Sequence, residues 1–276
     1  MFPWNFGFHW SEGNLIFLGA FYCVVAVVAA TVIAAVMRAR RSVEAGRGEE
    51  VRWHAEFHDL PARDRQCRHM LTGELAYREC PNAFDCRHCE THARLVQSRP
   101  VVAEQGADEK DILGMEFPLD RLYHRGHTWV KAEPDGTVTI GLDGLGRRLV
   151  GKPDVLELPT PGTRLRTNGT GWRLCKNGAE IRVLSPVDGE VTEAWGAGLG
   201  GILRVKPDGK AFDFRHLLVP AEIRPWLLRE MERLQLALSG EGIPTIADGG
   251  VPVDDIAAQY PDSDWDAVCG EMFLQG

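Results

Sequence analysis

Four cysteines, Cys67, Cys80, Cys86 and Cys89, fall within 23 residues in the run CRHMLTGELAYRECPNAFDCRHCETH, spaced C-x12-C-x5-C-x2-C. Thiolates are the common protein ligands of structural zinc and of iron–sulfur clusters, and a C-x2-C pair on a tight turn brings two of them to one ion. Cys67 and Cys80 complete a shell of four. Arg68, Arg78 and Arg87 stand beside them in sequence and offset the double negative charge such a centre carries. His69, His88 and His92 are available as substitutes, so the ligand set stays open. Zinc is the expected occupant. An iron–sulfur cluster is the rival, although the spacing matches neither the bacterial nor the plant-type ferredoxin run.

The elements that position this segment begin with an apolar stretch. Asn14 to Met37 run 24 residues without a formal charge, which at about 1.5 Å per residue crosses a hydrocarbon core of roughly 30 Å. No Lys or Arg precedes the stretch, and Arg38, Arg40 and Arg41 follow it at once. That is the flank of a membrane span with its N-terminus outside and the rest of the chain cytoplasmic, not of a cleaved signal peptide. Trp4, Phe6, Phe8 and Trp10 suit an aromatic belt at the outer interface. A cytoplasmic location favours metal over disulfides for the cysteine run. The other cysteines, Cys23, Cys175 and Cys269, read as small apolar residues.

The chain has 276 residues and a formal net charge of −8. Glu241 to Gly276 hold eight acidic residues and no Lys or Arg, so this stretch accounts for the whole imbalance. A general nucleic-acid binder would show a basic face, and no nucleic-acid partner is expected. The acidic stretch reads as a solvated surface tail.

Between Thr128 and Ala194, short apolar runs alternate with Gly, Pro, Asn and Asp turn signals, the pattern of a compact mainly-β unit with tight hairpins. Lys176-Asn177-Gly178-Ala179 reads as a two-residue type I′ hairpin, because Asn-Gly tolerates positive φ at both central positions. Pro220 to Gly240 reads as an amphipathic helix with Pro225 early in it or breaking it.

Several landmarks here carry a family resemblance. His127, Trp129 and Val130 stand as a His-x-Trp-Val entry, followed by Gly141-Leu142-Asp143, Leu149 to Leu158, and Ser185-Pro186-Val187-Asp188-Gly189-Glu190-Val191. In this order and spacing, Leu119 to Val205 resemble the H protein of the glycine cleavage system. The resemblance implies a barrel-sandwich hybrid (lipoyl-domain-like) fold with flanking helices, and a hairpin tip that presents a lipoylated lysine eight residues before the proline of Pro-Val-x-Gly. Eight residues before Pro186 is Gly178. Lys176, two residues early, is the nearest amine and the one cofactor-binding candidate for lipoate, and lipoate is not expected on it. The cysteine run also resembles a short motif of bacterial membrane redox-complex subunits and some regulatory proteins.

The expected organisation is an external N-terminus (1–13), a transmembrane helix (14–37), a juxtamembrane segment (38–66), the four-cysteine segment (67–92), a linker (93–118), the β domain (119–219), the amphipathic helix (220–240) and the acidic segment (241–276). His124 and His127 have no acid–nucleophile constellation around them, and there is no phosphate loop or nucleophile elbow, so no enzyme is expected. The first reading is a membrane-anchored, non-catalytic adaptor with a four-cysteine metal site, its partner another protein subunit of a membrane complex. The alternatives are a lipoyl carrier using Lys176, and an iron–sulfur electron-transfer subunit.

Overall fold

The computed structural model describes residues 11–44, 47–98, 111–196, 201–209, 213–239 and 252–275. The aromatic residues of the first ten positions lie outside them. The chain divides into two units, residues 1–48 and 49–276. In the first, among the described residues, helix α1 (Glu12–Glu44) carries an apolar stretch with mean hydropathy 2.6 and none of it buried. By length and composition it is able to cross a membrane.

The second unit is built on β strands. A six-stranded antiparallel sheet has the order β3-β4-β5-β11-β10-β7, with β3 (Leu122–His124), β4 (Thr128–Ala132), β5 (Val138–Leu142), β7 (Arg164–Leu165), β10 (Gly189–Ala194) and β11 (Leu203–Pro207). A three-stranded sheet has the order β6-β8-β9, with β6 (Val155–Glu157), β8 (Thr170–Lys176) and β9 (Ala179–Leu184). Ile140, Leu203 and Val205 of the large sheet and Leu174, Ile181 and Val183 of the small one are buried in one shared core. A short ribbon, β1 (Asp111–Ile112) with β2 (Met115–Glu116), adds Ile112 and Met115 to it. The β unit therefore starts inside the stretch expected to be linker (93–118), of which 93–98 is helical and 99–110 lies outside the described residues.

Helices close the sheets. Asp143 ends β5 and caps α4 (Gly144–Val150), its Oδ1 accepting from the Gly146 N–H at 2.7 Å. Helix α5 (Pro220–Ser239) is continuous through Pro225, whose place in its second turn costs one early hydrogen bond. Ile223, Trp226, Leu227, Leu234 and Leu238 bury the helical stripe that faces the core.

The last segment departs from expectation. It is acidic, but 252–275 is not a solvated tail. After α6 (Ile256–Gln259), helix α7 (Trp265–Met272) buries Trp265, Val268, Cys269 and Met272, spaced 3, 1 and 3, one helical face. Net charge concealed that stripe. On the other side, α2 (Arg47–Asp59) places Trp53 and Phe57 in a second cluster with Leu60, Cys80, Ala83, Phe84, Leu184 and Leu274. The cysteine segment is thus packed onto the β unit and belongs to the same folded body.

Candidate functional site

The β8–β9 hairpin forms as the Asn-Gly pair requires: Asn177 has φ 51°, Gly178 has φ 83°, and Lys176 pairs with Ala179. Gly178 is exposed, with open space where a side chain would be. Lys176 is not displayed. It is 6% exposed, and its Nζ donates to the Lys152 carbonyl at 2.9 Å and to Asp255 Oδ2 at 3.0 Å. Asn177 Nδ2 donates to the Ala257 carbonyl at 2.7 Å, so the 252–275 segment covers one side of the tip. Gly151 makes this approach possible. Its φ is +58°, and a Cβ there would come within 2.1 Å of the Asp255 side chain. Cys175 is half-buried on β8, opposite Val155 and Glu180.

A second polar group lies beneath the His-x-Trp-Val entry. His127 is fully buried with φ 59°, its Nδ1 bonded to Asp143 Oδ2 at 3.1 Å and its ring stacked on Trp226. Nε2 faces Glu230 Oε2 at 3.6 Å, too long for a hydrogen bond but close enough for strong attraction between charges in a dry interior. Burial alone would lower this imidazole, but the Asp143 charge and hydrogen bond, reinforced by Glu230, outweigh it and raise the pKa to about 9. Glu230 is buried too, yet Arg233 and the imidazolium hold it down at about 2. His124 goes the other way. Burial presses it down to about 3, and its Nδ1 accepts from the Gly126 N–H at 3.1 Å while Nε2–H donates to Asn168 Oδ1 at 2.9 Å, the bonding of a neutral ring. Both histidines are fold-holding groups.

The third group is the cysteine segment. Cys67, Cys80, Cys86 and Cys89 all line one pocket, with Arg68, Arg78, His69, His92 and His216 around it. Three of the four are buried and Cys89 is half-buried. Among the described residues, no three or more His, Cys, Asp or Glu side chains are arranged to hold one metal ion. Burial pushes the Cys86 thiol up to about 12 against the opposing pull of the Arg68 charge. The Arg68 guanidinium also pairs with Glu222 and donates to the Arg215 carbonyl at 2.7 Å. His69 and His92 bond each other at 3.0 Å, and His69 also holds Glu74. Two neighbours expected here point elsewhere. Arg87 binds Asp85 and reaches Asp188 on the β unit, and the His88 side chain is 84% exposed.

Residues 121–197 match the family described as Glycine cleavage H-protein. The β unit is an H-protein-like domain. The glycine cleavage system H protein of Nitrosospira multiformis is 35% identical over 80 residues, 29% of this chain and 62% of that protein. Its counterpart in Alkalilimnicola ehrlichii is 29% identical over 120 residues, 39% of this chain and 92% of that protein. The crystal structure of such an H protein from Mycobacterium marinum aligns with 38% of this chain and 94% of its own, with 22% identity and a TM-score of 0.33. The chain spans about 62% of the length of the Nitrosospira relative, and most of its own length lies outside the matched region. The H-protein family carries lipoate and is not itself catalytic. Within the H-protein-like domain, Asp143 entered the sequence reading only as part of the Gly141-Leu142-Asp143 landmark, and its cap of α4 is seen in the structure. Glu230 and Asp255 had no local signal, since their partners lie 103 and 79 residues away along the chain.

Proposed function

We propose that the chain is a membrane-anchored, non-catalytic accessory subunit whose H-protein-like domain has given up lipoate carriage and serves as a docking body. The observation that carries this reading is the hairpin tip. The position homologous to the displayed lysine is the exposed Gly178, and the nearest amine along the hairpin, Lys176, is buried in an ion pair with Asp255. A ligase needs an extended, solvated lysine, and freeing Lys176 would leave Asp255 unpaired beneath the tip. Helix α1 supplies the anchor, and Arg38, Arg40 and Arg41 orient it with the H-protein-like domain in the cytoplasm. The four-cysteine segment, folded into the same unit, is the subunit's metal-holding part.

Co-expression of the full chain with a lipoate ligase and free lipoate, followed by intact-mass analysis, tests the reading. The unmodified mass is expected, with a soluble H protein in the same cells lipoylated as control. A lipoyl adduct on Lys176 would establish the carrier reading instead.

A further inference from the structure

Beside helix α4 the β unit keeps a cavity of about 160 Å³ whose lining includes neither Lys176 nor any of the four clustered cysteines. We propose that it binds a small carboxylic acid with an apolar body of about six carbons, the acid group held by Arg147 at the rim and by the indole N–H of Trp172.

The path of the chain leaves this space open. Helix α4 stops at Val150 because Gly151 follows with φ +58°, and Pro153 then leads the chain into β6. On β8, Gly171 is the extra residue of a bulge between the Thr170–Leu184 and Trp172–Val183 pairs, a feature that bends a strand and re-aims its side chains. Val150, Trp172, Leu174 and Ile202 line the cavity as buried residues, and the half-buried Leu156 stands at its rim. An apolar cavity of roughly 150 Å³ stays dry and takes up benzene, a six-carbon body. Size and lining therefore both select an apolar group.

Two polar groups narrow the choice to an acid. Trp172 is 2% exposed, and its Nε1 has no hydrogen-bond partner among the described residues. A buried indole N–H without an acceptor is costly, and apolar side chains supply none. Arg147 is the one charged residue lining the cavity, and it is exposed. Its neighbour Arg148 is committed to the Pro252 and Gly114 carbonyls and lies 3.4 Å from Asp254. The Arg147 guanidinium has no such partner among the described residues. Glu116, Asp254 and Asp255 share an open cleft with it on the side away from the cavity, and none of them forms an ion pair with it. A donor inside and an unpaired cation at the mouth both favour an acceptor that carries negative charge.

Binding of this kind is non-covalent, and its strength follows the length of the acid. Each methylene moved from water into such a cavity tightens binding about fourfold. The carboxylate on an exposed guanidinium adds about tenfold. Affinity rises along butanoate, pentanoate and hexanoate and levels off by octanoate, whose body outgrows the space.

The test uses the full chain in mild detergent, with isotope-labelled tryptophan and its eight indole N–H signals followed by NMR. Trp172→Phe identifies the signal of interest by its loss. Hexanoate is expected to shift that signal saturably, and butanoate and pentanoate to do so at higher concentrations, by about fourfold per methylene. Arg147→Gln, a change at an exposed position, is expected to weaken hexanoate about tenfold and to leave hexanamide unchanged. No saturable shift at millimolar hexanoate would overturn the site, as would equal shifts of all the indole signals, the mark of acid dissolved in the detergent. Equal affinity for hexanoate and hexanamide in the unaltered chain would overturn the choice of a carboxylic acid. If Trp172→Phe does not fold, the loss of hexanoate affinity in Arg147→Gln, read on whichever indole signal moves, decides alone.

Discussion

Replacing His127 with Asn tests whether a buried imidazolium holds the strand entry to helix α5. Asn keeps a side-chain donor near Asp143 and tolerates the left-handed φ of 59°. Its loss of charge is therefore the main change. The imidazole has a pKa of about 9 in the fold against 6.5 for the unperturbed group. At about 1.4 kcal/mol for each pH unit, the charged form contributes about 3 kcal/mol. The raised value fixes the direction. Between 6.5 and 9 the folded chain binds a proton that the unfolded chain does not, so this stability is complete below pH 6.5 and is lost as pH rises through 9. His124 titrates with the opposite sign but is present in both proteins, so it cancels in their difference. The assay is urea unfolding of both proteins in detergent from about pH 6 to about pH 10, followed by tryptophan fluorescence. The difference in unfolding free energy is expected to shrink by about 3 kcal/mol across that range, leaving only the pH-independent packing loss. A constant difference, or one that grows with pH, would refute the buried imidazolium.

Other outcomes rest on the same geometry. Lys176→Met removes the cation under the hairpin and leaves Asp255 alone, which is expected to cost about 1–3 kcal/mol in urea unfolding and to speed protease cutting after Pro252. Gly151→Ala is expected to displace Asp255 and destabilise by more than about 1 kcal/mol, because the added Cβ would meet that side chain at 2.1 Å. Trp226→Ala should cost about 3–5 kcal/mol by thermal or urea unfolding, since the ring is fully buried against His127. Deleting residues 14–37 should move the protein from the membrane fraction to the soluble fraction, read by ultracentrifugation and blotting.

Local signals carried much of this fold. The Asn177-Gly178 turn and the turn signals between the short apolar runs act over a few residues, and the sequence reveals such features directly. Lys176 shows the limit: its displacement from the displayed position was legible by counting back from Pro186, but its burial was not. That burial depends on Asp255, placed by a segment whose charge suggested a solvated tail. The Trp265, Val268, Cys269, Met272 stripe was present in the sequence, and net charge outweighed it. The cysteine spacing revealed one shared pocket. It did not separate Arg68, which reaches Cys86, from Arg87, which turns to Asp188, because that choice is made by the β unit packed against the loop.

The pairing of Trp53 and Phe57 with Leu184 and Leu274 bears on how the chain acquires its shape. These residues come from near both ends of the folded unit and from its middle. The Gln275 amide also donates to the Arg182 carbonyl, 93 residues back, at 2.9 Å. Contacts closed over such separations fold slowly, because the loop entropy is lost before the contact is gained. During synthesis the β hairpins are free to form as they emerge, but Leu184 lacks its Leu274 neighbour until position 274 has left the ribosome. Over that interval part of this apolar cluster is open to aggregation, and removing Leu274 would leave that part uncovered.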